Sequence, residues 1–284
     1  MAPLPAVPSL HRFAAFTRNP RSGNPAGVWL GPVLPVAAEM LRIAAEVGYS
    51  ETAFAAPRPG GGYLVRYYSP EAEVTFCGHA TIATGVLLGG LEGEGRYELH
   101  TAAGLVPVEV RAVDGAFEAS LTSIVPSHKP VDPELLTRVL GTLGWPSATL
   151  DPAIPPAMTH AGAWHLAIAV RTAETLNQLD YDFEELKRLM LDADLTTVHL
   201  VWKERDDLYH ARDPFPVGGV VEDPATGAAA AAFGGYLRDA GLLLAPASLV
   251  ILQGEAMGRP SRLVVEVPST GGIVVRGAAV PIRD

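Results

Sequence analysis

The sequence predicts an α+β protein built from two related halves. Short runs rich in β-branched and aromatic residues recur along the chain, separated by 29 glycines and 25 prolines. The order of strands and helices begins again after about residue 125. Each half also has one helix that opens at an Ala-Thr turn, Ala80-Thr81 in the first half and Ala225-Thr226 in the second. These observations indicate two duplicated halves with a cleft between them.

In the first half, β-branched and alternating patterns predict strands, and helical spacing of apolar residues predicts helices. The predicted strands are residues 27–30, 52–56, 63–68, 73–76, 96–101 and 105–110. One helix is predicted at 35–47, where Gly48 supplies the stop, and a second at 81–88, opened by a turn at Gly78 and His79.

The second half repeats this order. Strands are predicted at residues 164–170, 197–202, 248–253, 263–267 and 273–275, and helices at 133–143, 181–191 and from 227 to about 237. A Gly/Pro-rich segment, 213–219, precedes the last helix. The β-branched pattern lapses near residues 122–130. We therefore expect an N-terminal half at 1–125, completed by the last strand at about 273–284, and a C-terminal half at 126–272.

Composition excludes several classes of protein. The chain has 284 residues, 48% of them hydrophobic and 18% charged, so it can bury a sizeable core. A net charge of -10 without a basic run argues against nucleic-acid binding. Prolines break the apolar stretch 1–10, and no run approaches the ~20 apolar residues of a spanning helix. We expect a soluble, cytoplasmic protein with neither signal peptide nor membrane contact.

Common cofactor and metal motifs are missing from the sequence. It has no G-x-x-x-x-G-K-[ST] loop, no H-E-x-x-H pair and no G-x-S-x-G elbow. Gly89 and Gly90 follow a predicted helix rather than a strand, which is the wrong context for a dinucleotide-binding turn. The single cysteine, Cys77, excludes an internal disulfide and any multi-thiolate zinc site. The prediction is a protein with no cofactor and no metal.

Glu51 is a candidate general base. It stands where a loop enters an apolar strand, in the segment Gly-Tyr-Ser-Glu-Thr-Ala-Phe at 48–54. If its Ala and Phe neighbours desolvate the carboxylate, its pKa rises and the group can accept a proton near neutral pH. From this segment alone, a salt-bridged or solvated glutamate at a strand end is the more common outcome.

A helix N-terminus is predicted next to His79, in Phe-Cys-Gly-His-Ala-Thr at 76–81. Gly78 permits a tight turn there, and the helix directs unpaired N–H groups and a partial positive charge outward. His79 could then donate a hydrogen bond to an anionic or carbonyl group. A packed or capping histidine is the alternative.

The segment Glu-Asp-Pro-Ala-Thr-Gly at 222–227 is a second such turn. Asp223 suits a helix N-terminus as an anion, and Thr226 can cap the helix. Singly, each turn is an ordinary helix start. Together, two helix N-termini that can receive an anion predict a site for a small carboxylate-bearing substrate. Gly78, Thr226 and Gly227 would contribute to its binding.

Five motifs in this chain resemble those of the phenazine-biosynthesis isomerase-like (PhzF) family. They are Gly-Asn-Pro-Ala-Gly-Val at 23–28, Ser-Glu-Thr-Ala-Phe at 50–54, Ser-Pro at 69–70 followed by Phe-Cys-Gly-His-Ala-Thr at 76–81, Glu-Asp-Pro-Ala-Thr-Gly at 222–227, and Gln-Gly-Glu-Ala-Met-Gly-Arg-Pro-Ser at 253–261. The motifs run in family order from about residue 12 to 276. The resemblance therefore covers essentially the whole chain, and five ordered motifs are far more specific than any one.

The resemblance implies a diaminopimelate-epimerase-like fold, in which two pseudo-symmetric halves each wrap a curved mixed sheet around a central helix. It implies an active site between the halves, a homodimer and no cofactor. In the family's phenazine enzyme a glutamate moves a proton between carbons of a dihydro-hydroxyanthranilate, and that glutamate matches Glu51. The family's histidine and aspartate match His79 and Asp223, which would orient substrate and assist proton movement.

This chain departs from the commonest family pattern at two places. Ala228 stands where a small polar residue is frequent, and Asp-Pro-Phe-Pro at 213–216 replaces an apolar approach to the second turn. Either departure could alter the substrate pocket.

Three functions follow as hypotheses. The first is a cofactor-independent isomerase that moves a proton within a small carboxylate by one base, Glu51. The second is an epimerase or racemase of the same fold. Relatives with that activity use two thiols, which a chain with Cys77 alone cannot supply, so Cys77 is expected to pack the turn. The third is a non-catalytic metabolite-binding protein, against which the joint presence of Glu51, His79 and Asp223 weighs.

Overall fold

The computed structural model of the protein describes residues 7–283, which fold into two units. Unit 1 is the described part of Met1–Thr122 together with that of Arg276–Asp284, and unit 2 is Ser123–Val275. The sequence puts the corresponding divisions near residues 125 and 272. Most of the N-terminal stretch 1–10, for which no signal peptide is predicted, lies outside the described residues.

The helices and strands have the following bounds. The strands are β1 (Ser9–Ala15), β2 (Asn24–Leu30), β3 (Glu51–Pro57), β4 (Tyr63–Tyr68), β5 (Glu73–Val74), β6 (Gly95–Thr101), β7 (Gly104–Val113), β8 (Ala116–Thr122), β9 (Ser127–Pro130), β10 (Ala157–His160), β11 (Trp164–Val170), β12 (Thr197–Arg205), β13 (Leu208–Phe215), β14 (Val220–Asp223), β15 (Ala247–Gln253), β16 (Ser261–Val267) and β17 (Val274–Pro281). The α-helices are α1 (Ala37–Val47), α2 (Gly78–Glu92), α3 (Pro133–Thr142), α4 (Ala173–Asn177), α5 (Phe183–Asp192) and α6 (Gly227–Asp239).

Unit 1 is a closed barrel of eight strands. Around the barrel the order is β1, β2, β3, β4, β6, β7, β8 and β17, and β17 pairs with both β8 and β1 to close it. The pairs β2–β3 and β4–β6 are parallel, whereas the other pairs with a recorded register are antiparallel. Strand β5 pairs with β4 outside this ring.

Helix α2 fills the interior of this barrel. Every residue of the helix from His79 to Gly89 is buried, as expected for a helix that is surrounded on all sides. The hydroxyls of Thr81 and Thr84 donate to backbone carbonyls one turn earlier, so no buried hydroxyl of the helix is left without a partner. The helix can therefore be enclosed without leaving a side-chain hydroxyl that lacks a hydrogen bond.

Two glycines let the strands approach α2 closely. A Cβ at Gly85 would stand 2.7 Å from Val108 Cγ1, and one at Gly89 would stand 2.5 Å from Val110 Cγ1. Because Gly85 and Gly89 are four residues apart, both lie on the same face of the helix. This face packs directly on β7, which fixes the depth of the helix in the barrel.

Unit 2 repeats the connections of unit 1. Its sheet runs β9, β10, β11, β12, β13, β15 and β16, with β14 paired to β13. The parallel pairs β11–β12 and β13–β15 correspond to β2–β3 and β4–β6 of unit 1. Helix α6 corresponds to α2 and is likewise buried over most of its length. The repeat inferred from the sequence is present in the connections of the strands.

The structure corrects several sequence predictions of local structure. Strands β1, β8, β9, β10, β13 and β14 and helix α4 are not predicted, and α2 begins at Gly78 rather than at Thr81. Part of the segment 213–219, expected to be an irregular approach, instead ends β13 with a register shift between Pro214 and Phe215. These strands are short, exposed or rich in Pro and polar residues, so cross-strand pairing decides their conformation.

Unit 2 contains a fully buried polar network on three neighbouring strands. The Asp213 carboxylate accepts hydrogen bonds from the Thr197 hydroxyl, at 3.0 Å, and from His199 Nδ1, at 2.9 Å. His165 Nδ1 lies 2.8 Å from the same Thr197 hydroxyl. The Nε2 atoms of His165 and His199 have no hydrogen-bond partner. Burial lowers the pKa of His165 to about 3.

We predict that Gly85→Ala destabilises the protein by about 1–3 kcal/mol, because the new methyl group overpacks the contact between α2 and Val108. Equilibrium unfolding in urea measures this change. Gly90→Ala is the matched control in the same helix, where an added Cβ meets nothing within 4 Å. The free energy of unfolding of Gly90→Ala should rise by about 0.5–1 kcal/mol, because alanine has a higher helix propensity than glycine. A Gly85→Ala protein as stable as Gly90→Ala would contradict the close packing of α2.

We predict that the free energy of unfolding falls as the pH drops from about 6.5 towards 3. The unfolded chain protonates His165 near pH 6.5, whereas the folded protein protonates it at about 3. In this window the unfolded state binds one more proton than the folded state. The free energy of unfolding therefore falls by up to about 1.4 kcal/mol for each unit of pH. His165→Gln should reduce the slope measured by urea unfolding at several pH values. His128→Gln, on exposed β9, should keep the wild-type slope. An unchanged slope in His165→Gln would show that His165 is not the group whose protonation destabilises the fold.

Candidate active site

Glu51 is the first residue of β3, and its side chain faces the barrel interior. Alternation along the strand directs Thr52 and Phe54 to the other face, where Phe54 packs with Met40 and Ala44 of α1. Glu51 pairs with Ala26 of the neighbouring strand β2. The pairing of β3 with β2 holds the start of β3 in place, and the Glu51 carboxylate lies at the N-terminal end of α2.

His79 lies in the first turn of α2 and not in a turn before it. The helix begins at Gly78, and Cys77 holds the N-cap position in an extended conformation without a capping side-chain bond. Gly78 has no positive φ, so its expected role in permitting a tight turn is not seen. His79 is therefore the second residue of the helix, whereas the prediction put it two residues before the helix start.

Glu51 and His79 are brought together in unit 1. His79 Nε2 lies 3.5 Å from Glu51 Oε2 and 3.5 Å from Ser50 Oγ, and His79 Nδ1 lies 3.3 Å from Cys77 Sγ. The Glu51 side chain is 16% exposed and that of His79 is 7% exposed. The carboxylate thus keeps a narrow opening to solvent, while the imidazole is almost enclosed.

Burial lowers the pKa of His79, and its other neighbours only partly oppose this effect. The Glu51 carboxylate and a hydrogen bond to the Pro25 backbone act in the opposite direction. His79 is therefore a neutral imidazole at neutral pH, with one nitrogen that donates a proton and one that accepts. A neutral ring can contact Glu51 without forming the ion pair that would weaken the carboxylate as a base.

The first turn of α2 offers backbone donors beside this pair. Thr81 N–H donates to the Cys77 carbonyl and closes the first helical bond. The amides of Gly78, His79 and Ala80 precede that bond, and helix geometry gives them no partner within the helix. Such amides, with the positive end of the helix dipole, bind carboxylates and other anions.

Glu51, Cys77 and His79 also resemble a set of metal ligands. Among residues 7–283 they are the one group of His, Cys and acidic side chains whose candidate ligand atoms all lie within 4.8 Å of one another. The sequence gives no sign of this group, because its members come from two elements and match no local metal motif. The absence of a metal or cofactor from the reaction stays a prediction.

The second predicted cluster lies in unit 2 and centres on Asp223. The Thr226 hydroxyl donates to Asp223 Oδ2 at 2.7 Å, and Gln253 Nε2 donates to the Asp223 carbonyl at 2.7 Å and to the Thr226 hydroxyl at 3.0 Å. Asp223, Thr226 and Gln253 are all buried. The two predicted groups of residues thus occupy separate units, each with its own network.

Thr226 does not make the side-chain capping bond that the sequence predicts. It holds the N-cap position of α6, but its side chain makes no capping bond because its hydroxyl donates to Asp223. Its backbone N–H, expected to face a substrate anion, donates to Gln253 Oε1 at 3.1 Å. Gly227, the first residue of α6, keeps the helix-start position that the prediction gave it.

Sequence reasoning missed Gln253 and Ser50 as members of these clusters. Gln253 ends β15 and starts the last of the five motifs, so the motif itself was the available signal. Ser50 precedes Glu51 in the second motif and lies near His79. Neither residue type is a typical acid or base, and only their positions in the fold bring them to the predicted residues.

A family model described as phenazine biosynthesis-like protein (PhzC-PhzF) matches residues 13–284. This chain belongs to that family. An uncharacterised isomerase of Deinococcus radiodurans is 33% identical over 290 residues, covering 95% of this chain and 92% of its own. The trans-2,3-dihydro-3-hydroxyanthranilate isomerase of Pseudomonas fluorescens is 31% identical over 251 residues. The match covers 87% of this chain and 86% of the Pseudomonas protein. The protein is an isomerase of the PhzF type.

Solved structures confirm the predicted fold. A PhzF-family protein of Bacillus anthracis matches with a TM-score of 0.85 at 24% identity, covering 96% of both chains. A hydroxyproline epimerase of Agrobacterium vitis matches with a TM-score of 0.66 at 14% identity, covering 96% of this chain and 88% of its own. The diaminopimelate-epimerase-like fold is thus shared by the PhzF family and proline-racemase-like proteins. Among residues 7–283, no helix has both the length and the apolar character needed to cross a membrane.

Proposed function

We propose that this protein is a cofactor-independent isomerase that moves a proton between two carbons of a small cyclic carboxylate, with Glu51 as its single base. The observation that carries the proposal is the pairing of Glu51 Oε2 with a buried imidazole, His79 Nε2, at 3.5 Å. The family's named members that act on trans-2,3-dihydro-3-hydroxyanthranilate make that compound the first substrate to test.

The proposed reaction has two proton transfers and one intermediate. Glu51 takes a proton from an activated carbon, and the electron pair left behind is delocalised over the neighbouring unsaturated system. The protonated Glu51 then gives the same proton to a second carbon on the same face of the substrate. One group acts first as base and then as acid, so the shift needs no second base across the substrate.

The surroundings of Glu51 support this role. Its carboxylate is largely shielded from water, which would limit loss of the transferred proton to solvent. Because the lowered pKa of His79 keeps the ring neutral, His79 can orient the carboxylate without holding it in an ion pair. The amides of Gly78 and His79 at the start of α2 are suited to hold the carboxylate of the substrate.

Asp223 and Gly227 complete the proposal. The Asp223 carboxylate is buried and fixed by the Thr226 hydroxyl, so it can orient a polar group of the substrate and assist proton movement. Gly227 begins α6 and is proposed to contribute a backbone donor. The homodimer and the cytoplasmic location are predictions that rest on the family resemblance and the composition.

We predict that Glu51→Gln lowers turnover of trans-2,3-dihydro-3-hydroxyanthranilate by about 10²–10⁴-fold, because the amide keeps the shape of the side chain but cannot accept the proton. Steady-state kinetics measures the rate, and calorimetric titration should show little change in substrate affinity. Glu46→Gln, at an exposed ion pair with Arg42, is the control and should keep the wild-type rate. Near-normal turnover by Glu51→Gln would eliminate Glu51 as the base.

We predict that turnover in deuterated water gives a product with less than full deuterium at the carbon that gains the proton, and that this carbon differs from the one that lost hydrogen. A proton held on a shielded carboxyl exchanges only partly before it returns. Mass spectrometry and NMR of the product measure the label and its position. Full solvent label at the original carbon with inverted configuration would instead establish a two-base epimerase.

A further inference from the structure

We propose that Gln253 is a positioning residue of the isomerase, which fixes the Asp223 carboxylate through the Thr226 hydroxyl and assigns Asp223 Oδ1 to the substrate. This proposal deepens the proposed function and rests on it, because it takes the part of Asp223 in the reaction as given. Gln253 itself does not touch the substrate in this arrangement. Its effect passes through two hydrogen bonds to the side chain that does.

The three partners of the Gln253 side chain determine how its amide is oriented. Oε1 accepts from the Thr226 backbone N–H at 3.1 Å, and Nε2 donates to the Asp223 carbonyl at 2.7 Å and to the Thr226 hydroxyl at 3.0 Å. A backbone N–H can only donate and a carbonyl can only accept, so exchanging the oxygen and nitrogen of the amide would lose both backbone bonds. Gln253 is completely buried, so water does not compete for these bonds.

The direction of the next hydrogen bond follows from the orientation of the amide. Because Gln253 Nε2 donates to the Thr226 hydroxyl, the hydroxyl oxygen is the acceptor of that bond. The one proton of the hydroxyl is then directed to Asp223 Oδ2, which lies 2.7 Å away. The chain of donors therefore runs one way, from the amide through the hydroxyl to the carboxylate.

This direction distinguishes the two oxygens of the Asp223 carboxylate. Oδ2 accepts from Thr226, and in a protonated carboxyl group the carbonyl oxygen is the stronger acceptor. A proton that Asp223 takes up during the reaction is therefore directed to Oδ1 and not to Oδ2. The bond from the hydroxyl also limits rotation of the carboxylate, so Oδ1 keeps one orientation towards a bound substrate.

The backbone next to Gln253 lies against the same turn. Gly254 has a φ of +77°, and a Cβ at this position would stand 2.8 Å from the Pro224 carbonyl oxygen. A side chain at 254 would force the end of β15 away from the turn that contains Asp223. Glycine thus lets the strand end lie close enough for Gln253 to bond to both Asp223 and Thr226.

The corresponding strand end in unit 1 makes a different contact. Strand β6 corresponds to β15 and ends at Thr101, whose hydroxyl donates to the Gly104 carbonyl of its own turn at 2.9 Å. The buried helix of unit 1 therefore begins without an amide side chain at this strand end. This comparison argues that Gln253 serves Asp223 and not the helix start alone.

The kinetic test uses the full-length protein with trans-2,3-dihydro-3-hydroxyanthranilate as substrate. Thr226→Val keeps the shape of the side chain but removes the donor to Asp223, so kcat should fall by about 10- to 100-fold with little change in KM. Thr226→Ser keeps a hydroxyl and should restore most of the kcat that Thr226→Val loses. Gln253→Glu should lower kcat by at least about tenfold, because a carboxyl group has at most one proton to donate where the amide has two.

Each substitution has a matched control in unit 2. Thr159→Val removes another buried hydroxyl, which donates to the His165 carbonyl at 3.3 Å, and Gln178→Glu makes the same change at the exposed C-cap of α4. Both controls should keep the wild-type kcat. Urea unfolding of every variant separates loss of fold from loss of positioning. A fall in kcat as large in Thr159→Val as in Thr226→Val would show a general packing effect and overturn the proposal.

A measurement without substrate tests the hydrogen bonds themselves. The two side-chain N–H protons of Gln253, followed by ¹H–¹⁵N NMR, should exchange slowly with deuterated water in the wild type and in Thr226→Ser. In Thr226→Val the resonance of one of these protons should move upfield, because its acceptor is gone. Rapid exchange of both protons in the wild type would overturn the proposal whichever substrate the enzyme uses.

The outcomes separate this proposal from the proposed function. Wild-type kcat in Thr226→Val and in Gln253→Glu, together with an inactive Asp223→Asn, would overturn the positioning role and keep Asp223 in the reaction. Wild-type kcat in Asp223→Asn would overturn both the positioning role and the part given to Asp223. The base is judged separately, because normal turnover by Glu51→Gln refutes Glu51 whatever the Gln253 variants do.

Discussion

The burial of α2 inside the barrel of unit 1 is the constraint on which the site depends. A helix that is enclosed on every side must be apolar or internally satisfied, and it must fit the strands closely at its small residues. Gly85 and Gly89 allow that fit against β7, while the threonine hydroxyls bond within the helix. Because the depth of the helix is fixed in this way, its first turn stands at the beginning of β3, where Glu51 begins the strand.

Enclosure has two chemical effects at this position. It keeps His79 neutral, because burial opposes the charged imidazole more strongly than Glu51 and the Pro25 backbone favour it. It also limits the access of water to the Glu51 carboxylate, which leaves the group with few competing partners. A base and a neutral imidazole that are crowded together and poorly solvated are suited to hold a proton during its transfer.

The duplication of the fold does not duplicate this chemistry. Both units carry a buried helix after the same series of strands, but the two helix starts differ. At α2, the amides of the first turn precede the helical bonds and His79 projects beside them. At α6, Gln253 accepts from the Thr226 amide and donates to its hydroxyl, so part of that helix start is already used. The side chain at the end of β15 therefore changes what a similar turn can bind.

The sequence by itself determined the long, strongly patterned elements and the motifs. Strand β4 and strand β11 have the predicted bounds, since their β-branched and aromatic runs are ended by clear turn residues. The motifs around Glu51, His79 and Asp223 identified the family. Short strands such as β9 and β10 could not be predicted, because their conformation comes from pairing with distant segments and not from their own residues.

Only the tertiary structure decided what surrounds each candidate residue. The sequence does not tell that Cys77 and His79 lie within reach of Glu51, since α2 must first enter the barrel and β3 must pair with β2. Nor does it tell that the Thr226 amide is taken by a glutamine distant in the chain, or that Asp213 is buried with His199. Local patterns fix which residues can form a strand or a helix start. Protonation and hydrogen-bond partners depend on distances between segments, and those distances are set by packing.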